Sequence, residues 1–179
     1  MKNVKGVFII VLVLFAIPIA GYFVLKQGAK DRMEISGKLQ PKGQIDKNLS
    51  LIVLENDELD TVSMMDMPYI LKVIANGKDD VNIENLEKII HIINDRTDLA
   101  FFVIEEEVSP YKGERIYTTQ FLKSAEDILK PNEVILLDWK NQILQRYDLI
   151  ENKNVYGALL EDISYALPMI DYKIEQENK

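Results

Sequence analysis

Carboxylates are the side chains in this sequence with the clearest capacity for chemistry. Asp79 and Asp80 follow one apolar segment of the chain, and Glu105, Glu106 and Glu107 follow another. Hard cations such as Ca²⁺ prefer carboxylate oxygens as ligands, so the two groups could bind a divalent cation if the fold brings them together. Their spacing matches no particular cation site, and Asp79 and Asp80 also precede a predicted helix, where negative charge stabilises the helix dipole. Cation binding and helix capping therefore both stay open, and capping requires no ligand.

Cysteine chemistry is excluded, and histidine chemistry has a single candidate. The chain contains no cysteine, which excludes disulfides, thiol nucleophiles, dithiol redox exchange and thiolate metal sites. The one histidine, His91, lies beside the apolar stripe of a predicted helix, with no second ligand nearby. We therefore predict a surface or boundary position for His91, and we predict no catalytic residue, no metal and no cofactor.

A βαβ unit positions the carboxylates. The sequence predicts an apolar strand over Tyr69–Ala75, an amphipathic helix over Asn82–Asp95 and a second apolar strand over Leu99–Ile104. Strands joined in this way are parallel, and partners usually bind where the carboxyl ends of the strands meet the amino end of the helix. We predict an interaction surface at that edge. Its candidate residues are Gly77, Lys78, Asp79, Asp80, Glu105, Glu106, Glu107, Tyr111 and Arg115.

The charge balance restricts the kind of partner. The formal net charge is −8 at pH 7, whereas a protein that binds nucleic acid needs a clustered basic face. Hydrophobic residues make up 47% of the chain and charged residues 28%, which is typical of a folded domain. The sequence therefore argues against nucleic acid and favours protein partners.

An apolar run near the amino terminus predicts a membrane anchor. As a helix with a rise of about 1.5 Å per residue, the uncharged run Val7–Leu25 would be roughly 28 Å long, which is enough to cross the hydrocarbon core of a bilayer. No good cleavage site and no lipidation cysteine follow it, which favours an uncleaved signal-anchor over a signal peptide. We expect a single-pass protein of the bacterial inner membrane with a periplasmic carboxy-terminal domain. Four residues could pack against a second membrane helix or simply face lipid: Ala16, Pro18, Ala20 and Gly21.

The remaining elements are predicted from apolar periodicity and turn residues. We expect a short strand at Met33–Leu39, a helix from Thr119 that ends before Pro131, and a last helix over Asn154–Leu167 that ends before Pro168. The other predicted strands are the hairpin Leu49–Leu54 and Leu59–Met65, then Val134–Asp138 and Gln142–Asp148. The predicted organisation is a flank (1–6), an anchor (7–25), a linker (26–47), one domain (48–168) and a charged, frayed tail (169–179).

The order of these elements predicts an α/β protein. A hairpin followed by β-α-β-α-β-β-α resembles the thioredoxin fold, and the anchor and the carboxy-terminal third resemble the Sco/SenC family of cytochrome oxidase assembly proteins. The strand Val134–Asp138, the turn Trp139–Asn141 and the segment Arg146–Asp148 carry that resemblance. Members of the family have a Cys-x-x-x-Cys pair after the first strand of the fold and a ligand histidine before the strand that matches Val134. Here the corresponding segments, Asn76–Val81 and Lys130–Glu133, contain neither.

The resemblance therefore implies a degenerate member that cannot transfer copper or exchange disulfides by the family mechanism. We expect a non-catalytic, membrane-anchored interaction subunit or assembly factor of a membrane complex, such as a respiratory complex. Two alternatives stay open. The first is a divalent-cation binder that uses the carboxylates described above, and the second is a periplasmic folding helper that binds extended segments by strand addition.

Overall fold

A computed structural model describes residues 3–45, 49–55, 58–76, 81–105, 115–121, 129–151 and 153–179. Side chains are described from Val13 onward, except at 53–55, 58, 118 and 121. The chain forms two compact units, Met1–Gly37 and Lys38–Lys179. The elements in chain order are α1 (Asn3–Lys38), β1 (Ser50–Glu55), β2 (Glu58–Ser63), β3 (Leu71–Asn76), α2 (Ile83–Ile92), β4 (Leu99–Ile104), β5 (Ile116–Phe121), β6 (Glu133–Asp138), β7 (Ile143–Asp148) and α3 (Val155–Glu177).

The first helix runs further than the sequence predicts. α1 continues past the apolar run to Lys38, so the prediction of a strand at Met33–Leu39 is wrong, and the predicted linker is helical as far as Lys38. Side chains on the segment support a helix, since Gln27 donates to the Asp31 carboxylate one turn later at 2.7 Å. Local pairs of this kind favour a helix in this segment although it contains two glycines, Gly28 and Gly37.

The residues predicted to pack in a membrane lie on α1 and are exposed. These are Ala16, Pro18, Ala20 and Gly21. Among the residues whose side chains are described, no helix combines the length and the apolar character needed to cross a membrane.

The centre of unit Lys38–Lys179 is a mixed sheet whose seven described strands have the order β2-β1-β5-β4-β3-β6-β7. β3 and β4 are parallel, as predicted for the βαβ unit, and α2 connects them. β5 is parallel to β4, whereas β6 is antiparallel to β3 and β7 is antiparallel to β6. The predicted hairpin is also confirmed, because β1 and β2 pair antiparallel over their full length.

The two faces of the sheet are covered by different elements. α2 and α3 contact each other on one face, where Leu86 and Ile163 are buried. On the other face, Ile74 and Phe102 pack in a cluster with Met64 and other apolar residues that flank the hairpin. Because β3, β4 and β6 are covered on both faces, their sequences are nearly continuous apolar runs.

β5 occupies part of a segment that was predicted to be helical. The prediction of a helix from Thr119 is wrong at its start, because residues 116–121 form a strand between β4 and β1. The rest of that predicted helix, residues 122–128, lies outside the described chain. Thr119 is completely buried, and its hydroxyl donates to the Ile52 carbonyl at 2.7 Å. The segment is rich in β-branched and aromatic residues, which favour a strand.

α3 continues beyond the proline that was predicted to end it. Pro168 lies inside the helix, which runs to Glu177, so the prediction of a frayed tail is also wrong. A proline within a helix removes one main-chain hydrogen bond. Three features stabilise the turns beyond it. Ile170 is buried, the Asp171 carboxylate accepts from Arg96 at 2.7 Å, and Lys140 pairs with Glu177 at 2.6 Å.

A buried carboxylate joins α3, β7 and Lys38, the first residue of this unit. Asp162 on α3 is almost completely buried and accepts a hydrogen bond from the Tyr147 hydroxyl on β7 at 2.7 Å. Its second oxygen pairs with the Lys38 ammonium, also at 2.7 Å. Burial and the hydrogen bond to Asp162 both raise the pKa of Tyr147, so the phenol stays protonated and donates at neutral pH.

The substitution Tyr147→Phe tests this cluster. Because it removes a donor to a buried charge, we expect the free energy of unfolding to fall by about 2 kcal/mol in urea titrations of the detergent-solubilised chain. Tyr172→Phe is the matched control, since that ring is 63% exposed, and it should change the free energy by less than about 0.5 kcal/mol. Equal effects of the two substitutions would contradict a stabilising role for the Tyr147–Asp162 bond.

Candidate functional site

The carboxyl-end edge of the central strands is the predicted site. In the sheet register, Asn76 at the end of β3 lies beside Ile104 at the end of β4 and beside Glu133 at the start of β6. The end of β3 therefore lies next to the start of β6. The βαβ pattern predicts the first of these neighbours, Ile104, but not the second, Glu133.

Described polar groups at this edge hold the chain in place. The Asn76 amide donates to the Lys130 carbonyl at 3.2 Å, which joins the end of β3 to the segment before β6. The mostly buried Glu133 carboxylate accepts the Lys130 main-chain N–H at 3.0 Å and pairs with Arg146 at 2.7 Å. Each of these contacts stabilises the entry to β6.

The structure describes two of the predicted interaction residues and separates them. Glu105 directly follows β4, and its main-chain N–H donates to the Thr119 carbonyl at 3.0 Å. Glu105 is only 8% exposed, so its carboxylate is not the solvent-exposed group that the sequence predicted. The other predicted residues lie outside the described chain: Gly77, Lys78, Asp79, Asp80, Glu106, Glu107 and Tyr111.

Arg115 lies at the opposite end of the sheet. Its carbonyl accepts the Phe101 N–H at the start of the β4–β5 pair, four residues along β4 from Glu105 and therefore roughly 13 Å away. The buried guanidinium donates to the carbonyls of Arg96 and Ile90 near the carboxyl end of α2. Its backbone is left-handed, with φ 62°. The grouping of Arg115 with the strand carboxyl ends is therefore wrong.

His91 is exposed on α2, as the sequence predicts. Together with Glu87, Ile90 and Asn94, it lines a shallow depression of about 240 Å³. Within the described ranges, no three histidine or acidic side chains are grouped closely enough to hold a metal ion. The cation prediction that depends on Asp79 and Asp80 concerns residues outside those ranges and stays a prediction.

A buried lysine is the polar feature that the sequence interpretation did not identify. Lys72 on β3 is completely buried, and its ammonium donates to the Met64 carbonyl at 2.9 Å and to the Asn141 side-chain oxygen at 2.8 Å. Asn141 is also fully buried, and its backbone has φ 57° in the turn before β7. The only signal in the sequence is a single charge within the apolar strand Tyr69–Ala75.

Burial perturbs the titration of this site. Desolvation lowers the pKa of Lys72 to about 8, and the nearby Asp138 carboxylate opposes the shift. Burial also raises the pKa of Asp138. The main-chain N–H groups of Gln142 and Lys140, which donate to its carboxylate, lower that pKa but do not cancel the effect of burial. Lys72 lies in the half of β3 nearer its amino end, on the far side of Ile74 from the predicted edge, so these shifts describe a structural contact within the core.

The topology defines the class of fold. The order β4-β3-β6-β7, with β4 parallel and β6 antiparallel to β3, a crossover helix after β3 and a closing helix after β7, is the thioredoxin-like arrangement. The hairpin and β5 extend that sheet on the β4 side. The chain is therefore a thioredoxin-like α/β protein.

Solved structures agree with this assignment. A candidate electron transfer protein from Aquifex aeolicus VF5 superposes with a TM-score of 0.51 at 12% identity, covering 71% of this chain and 98% of that chain. BsSco, a member of the Sco family of cytochrome c oxidase assembly proteins, gives a TM-score of 0.51 at 10% identity, covering 71% and 95%. No family model matches the sequence, and the search of curated proteins found no match. At these identities the likeness establishes the fold alone.

The pH dependence of stability tests the Lys72 site. In the unfolded chain the lysine titrates at its ordinary pKa of 10.5, against about 8 in the fold, so between these values only the unfolded chain holds the proton. Stability is therefore lowest below pH 8 and rises as the pH increases. From pH 7 to 9.5 we expect the free energy of unfolding to increase by about 2 kcal/mol from this group.

The substitution Lys72→Met should remove that rise, whereas Lys153→Met, which changes an exposed lysine, should leave it intact. Urea titrations at pH 7 and pH 9.5 measure both variants. A rise of the same size in wild type and Lys72→Met would show that another group is responsible.

Proposed function

We propose that this protein works by binding other proteins, as a membrane-anchored interaction subunit or assembly factor of a membrane complex, such as a respiratory complex. One observation carries the proposal. A thioredoxin-like fold is present in a chain that contains no cysteine at all. Thiol exchange and thiolate metal transfer both require a cysteine thiol, which this chain lacks, so we infer that the fold is used for contact.

The described residues at the carboxyl-end edge support this proposal. Asn76, Glu133 and Arg146 are engaged in contacts that order the chain. BsSco, which has a similar fold, belongs to a family of cytochrome c oxidase assembly proteins. That description is a reason to test a respiratory assembly before other membrane complexes.

The composition of α1 supports the anchor. In the described part of the apolar run the large side chains are exposed, with Phe15 and Ile17 each at 66% and Val24 at 72%. Exposed apolar surface of this extent is stable when lipid or another protein covers it. Of the 21 basic residues, six lie within residues 1–38 beside only two of the 29 acidic ones, so basic side chains flank the run.

Copurification tests the interaction role. We expect the chain, isolated from its native membrane at native expression level in mild detergent, to elute with a larger membrane assembly at a fixed stoichiometry. Native gel migration and mass spectrometry of the eluate would measure this. A chain that elutes alone under conditions that keep known complexes intact would contradict the proposal.

The double substitution Phe15→Arg and Ile19→Arg tests the anchor. Two charges in the middle of an apolar segment disfavour insertion by several kcal/mol, about 2.5 to 3.5 each at the centre of a membrane helix. We expect the variant to move from the membrane pellet to the supernatant in carbonate extraction. Met33→Arg, on the same helix beyond the apolar run, is the control and should stay in the pellet. Pelleting of both variants would count against an anchor at this run.

A further inference from the structure

β2 is the outermost strand on one side of the sheet, and no other described strand pairs with its outer side. The Met64 N–H donates to the Leu49 carbonyl at 3.0 Å, which makes residues 49 and 64 a hydrogen-bonded pair. Hydrogen-bonded and non-hydrogen-bonded pairs alternate along an antiparallel ladder. Leu59, Thr61 and Ser63 therefore belong to non-hydrogen-bonded pairs, and their main-chain groups point away from β1. We call these outward groups the β2 edge.

One group of the β2 edge is occupied by a neighbouring side chain. The Thr61 N–H donates to the Asp60 carboxylate at 2.7 Å, which confirms that this N–H takes no part in the β1–β2 ladder. The Ser63 carbonyl accepts the Asp66 N–H at 3.1 Å. The Asp60 oxygen therefore occupies the position that the carbonyl of an added strand would take. Natural proteins use edge charges in this way to prevent uncontrolled pairing.

The surroundings of the β2 edge indicate the chemistry of an occupant. Leu59 is 65% exposed, and Asp60, Thr61 and Asp66 are exposed as well. Within the unit Lys38–Lys179, acidic residues outnumber basic ones by 27 to 16. An extended segment that approaches the edge therefore meets apolar surface and negative charge.

We infer that the β2 edge binds an extended, lysine- or arginine-rich segment of a partner protein by strand addition. This inference rests on the proposed interaction function and names the surface and the partner. A cationic side chain of the partner pairs with the Asp60 carboxylate and draws it from the Thr61 N–H. That N–H then donates to a main-chain carbonyl of the incoming strand. The carboxylate thus closes the edge to segments that lack a positive charge.

A second copy of this chain is a poorer occupant than a basic segment. Two β2 strands that pair across this edge would bring the Asp60 carboxylates of both copies, and their acidic neighbours, to the same seam. Like charges that face each other across strands are destabilising. Charge complementarity therefore favours a cationic partner over self-association.

Synthetic peptides test the inference with the full chain in mild detergent. The probe is a ten-residue peptide in which lysine alternates with threonine or valine. One control peptide has N-methylated amides on the hydrogen-bonding side, and a second has glutamate in place of lysine. We expect saturable binding of the probe in fluorescence anisotropy and at least tenfold weaker binding of both controls. Equal binding of the probe and the N-methylated peptide would overturn strand addition.

Variants of the chain locate the site. Asp60→Lys should weaken probe binding at least tenfold, whereas Glu161→Lys makes the same change in net charge on an exposed part of α3 and should change it less than twofold. Thr61→Pro removes the outward N–H without taking a donor from the β1–β2 ladder, and it should also abolish binding. Equal losses in Asp60→Lys and Glu161→Lys would show non-specific charge attraction and overturn the inference.

The two proposals fail separately. If the wild-type chain copurifies with a membrane assembly and Thr61→Pro does so equally well, the β2 edge is not the docking surface and the interaction function stands. If the probe binds at the β2 edge but the chain copurifies with nothing, the edge assignment stands and the proposed subunit role is wrong. If Thr61→Pro fails to fold, the N-methylated peptide still shows whether the probe binds by strand addition.

Discussion

The buried amino group of Lys72 constrains the sheet, because it joins the central strand to two distant segments of the chain. Removing an ammonium group from water is costly, and two acceptors, the Met64 carbonyl and the Asn141 amide, offset only part of the cost, since burial still lowers the pKa of Lys72 to about 8. One charge on the central strand therefore holds both the segment that follows the hairpin and the turn that leads into β7. Asn141 can supply its oxygen because its left-handed backbone places it inside the turn. A small change in register would leave the charge without partners.

The contacts of Lys72 lie away from the carboxyl-end edge of the sheet, where proteins of this topology usually bind their partners. At the carboxyl-end edge, the described polar groups of Asn76, Glu133 and Arg146 order the chain that enters β6. At the opposite end, Arg115 bonds to carbonyls near the end of α2. Polar contacts thus maintain the scaffold at both ends, and the sequence contains no cysteine, which excludes thiol chemistry at either of them.

The central βαβ unit could be predicted from the sequence because its strands are buried on both faces and its helix is amphipathic. The sequence pattern does not indicate where an element is stabilised by residues that are distant in the chain. Thr119 begins a segment compatible with a helix, yet it is buried between β4 and β1 and bonds across the sheet. A proline such as Pro168 normally ends a helix. Here the ion pair between Arg96 and Asp171, together with the burial of Ile170, stabilises about two further turns. Arg115 was assigned to the wrong end of the sheet because the direction in which β5 runs could not be read from a predicted loop.

The position of β1 has a consequence for how this sheet opens and closes. β1 pairs with its neighbour in sequence, β2, over six residue pairs, but with β5, nearly seventy residues later, over only three described pairs. The hairpin can therefore form early as a local unit, whereas its attachment to the sheet must wait until the distant β5 is in place. Short pairing with β5 and late attachment allow the hairpin to detach from the sheet as one unit. Hydrogen exchange in the native state would detect this as a cooperative unit that opens below the global unfolding free energy.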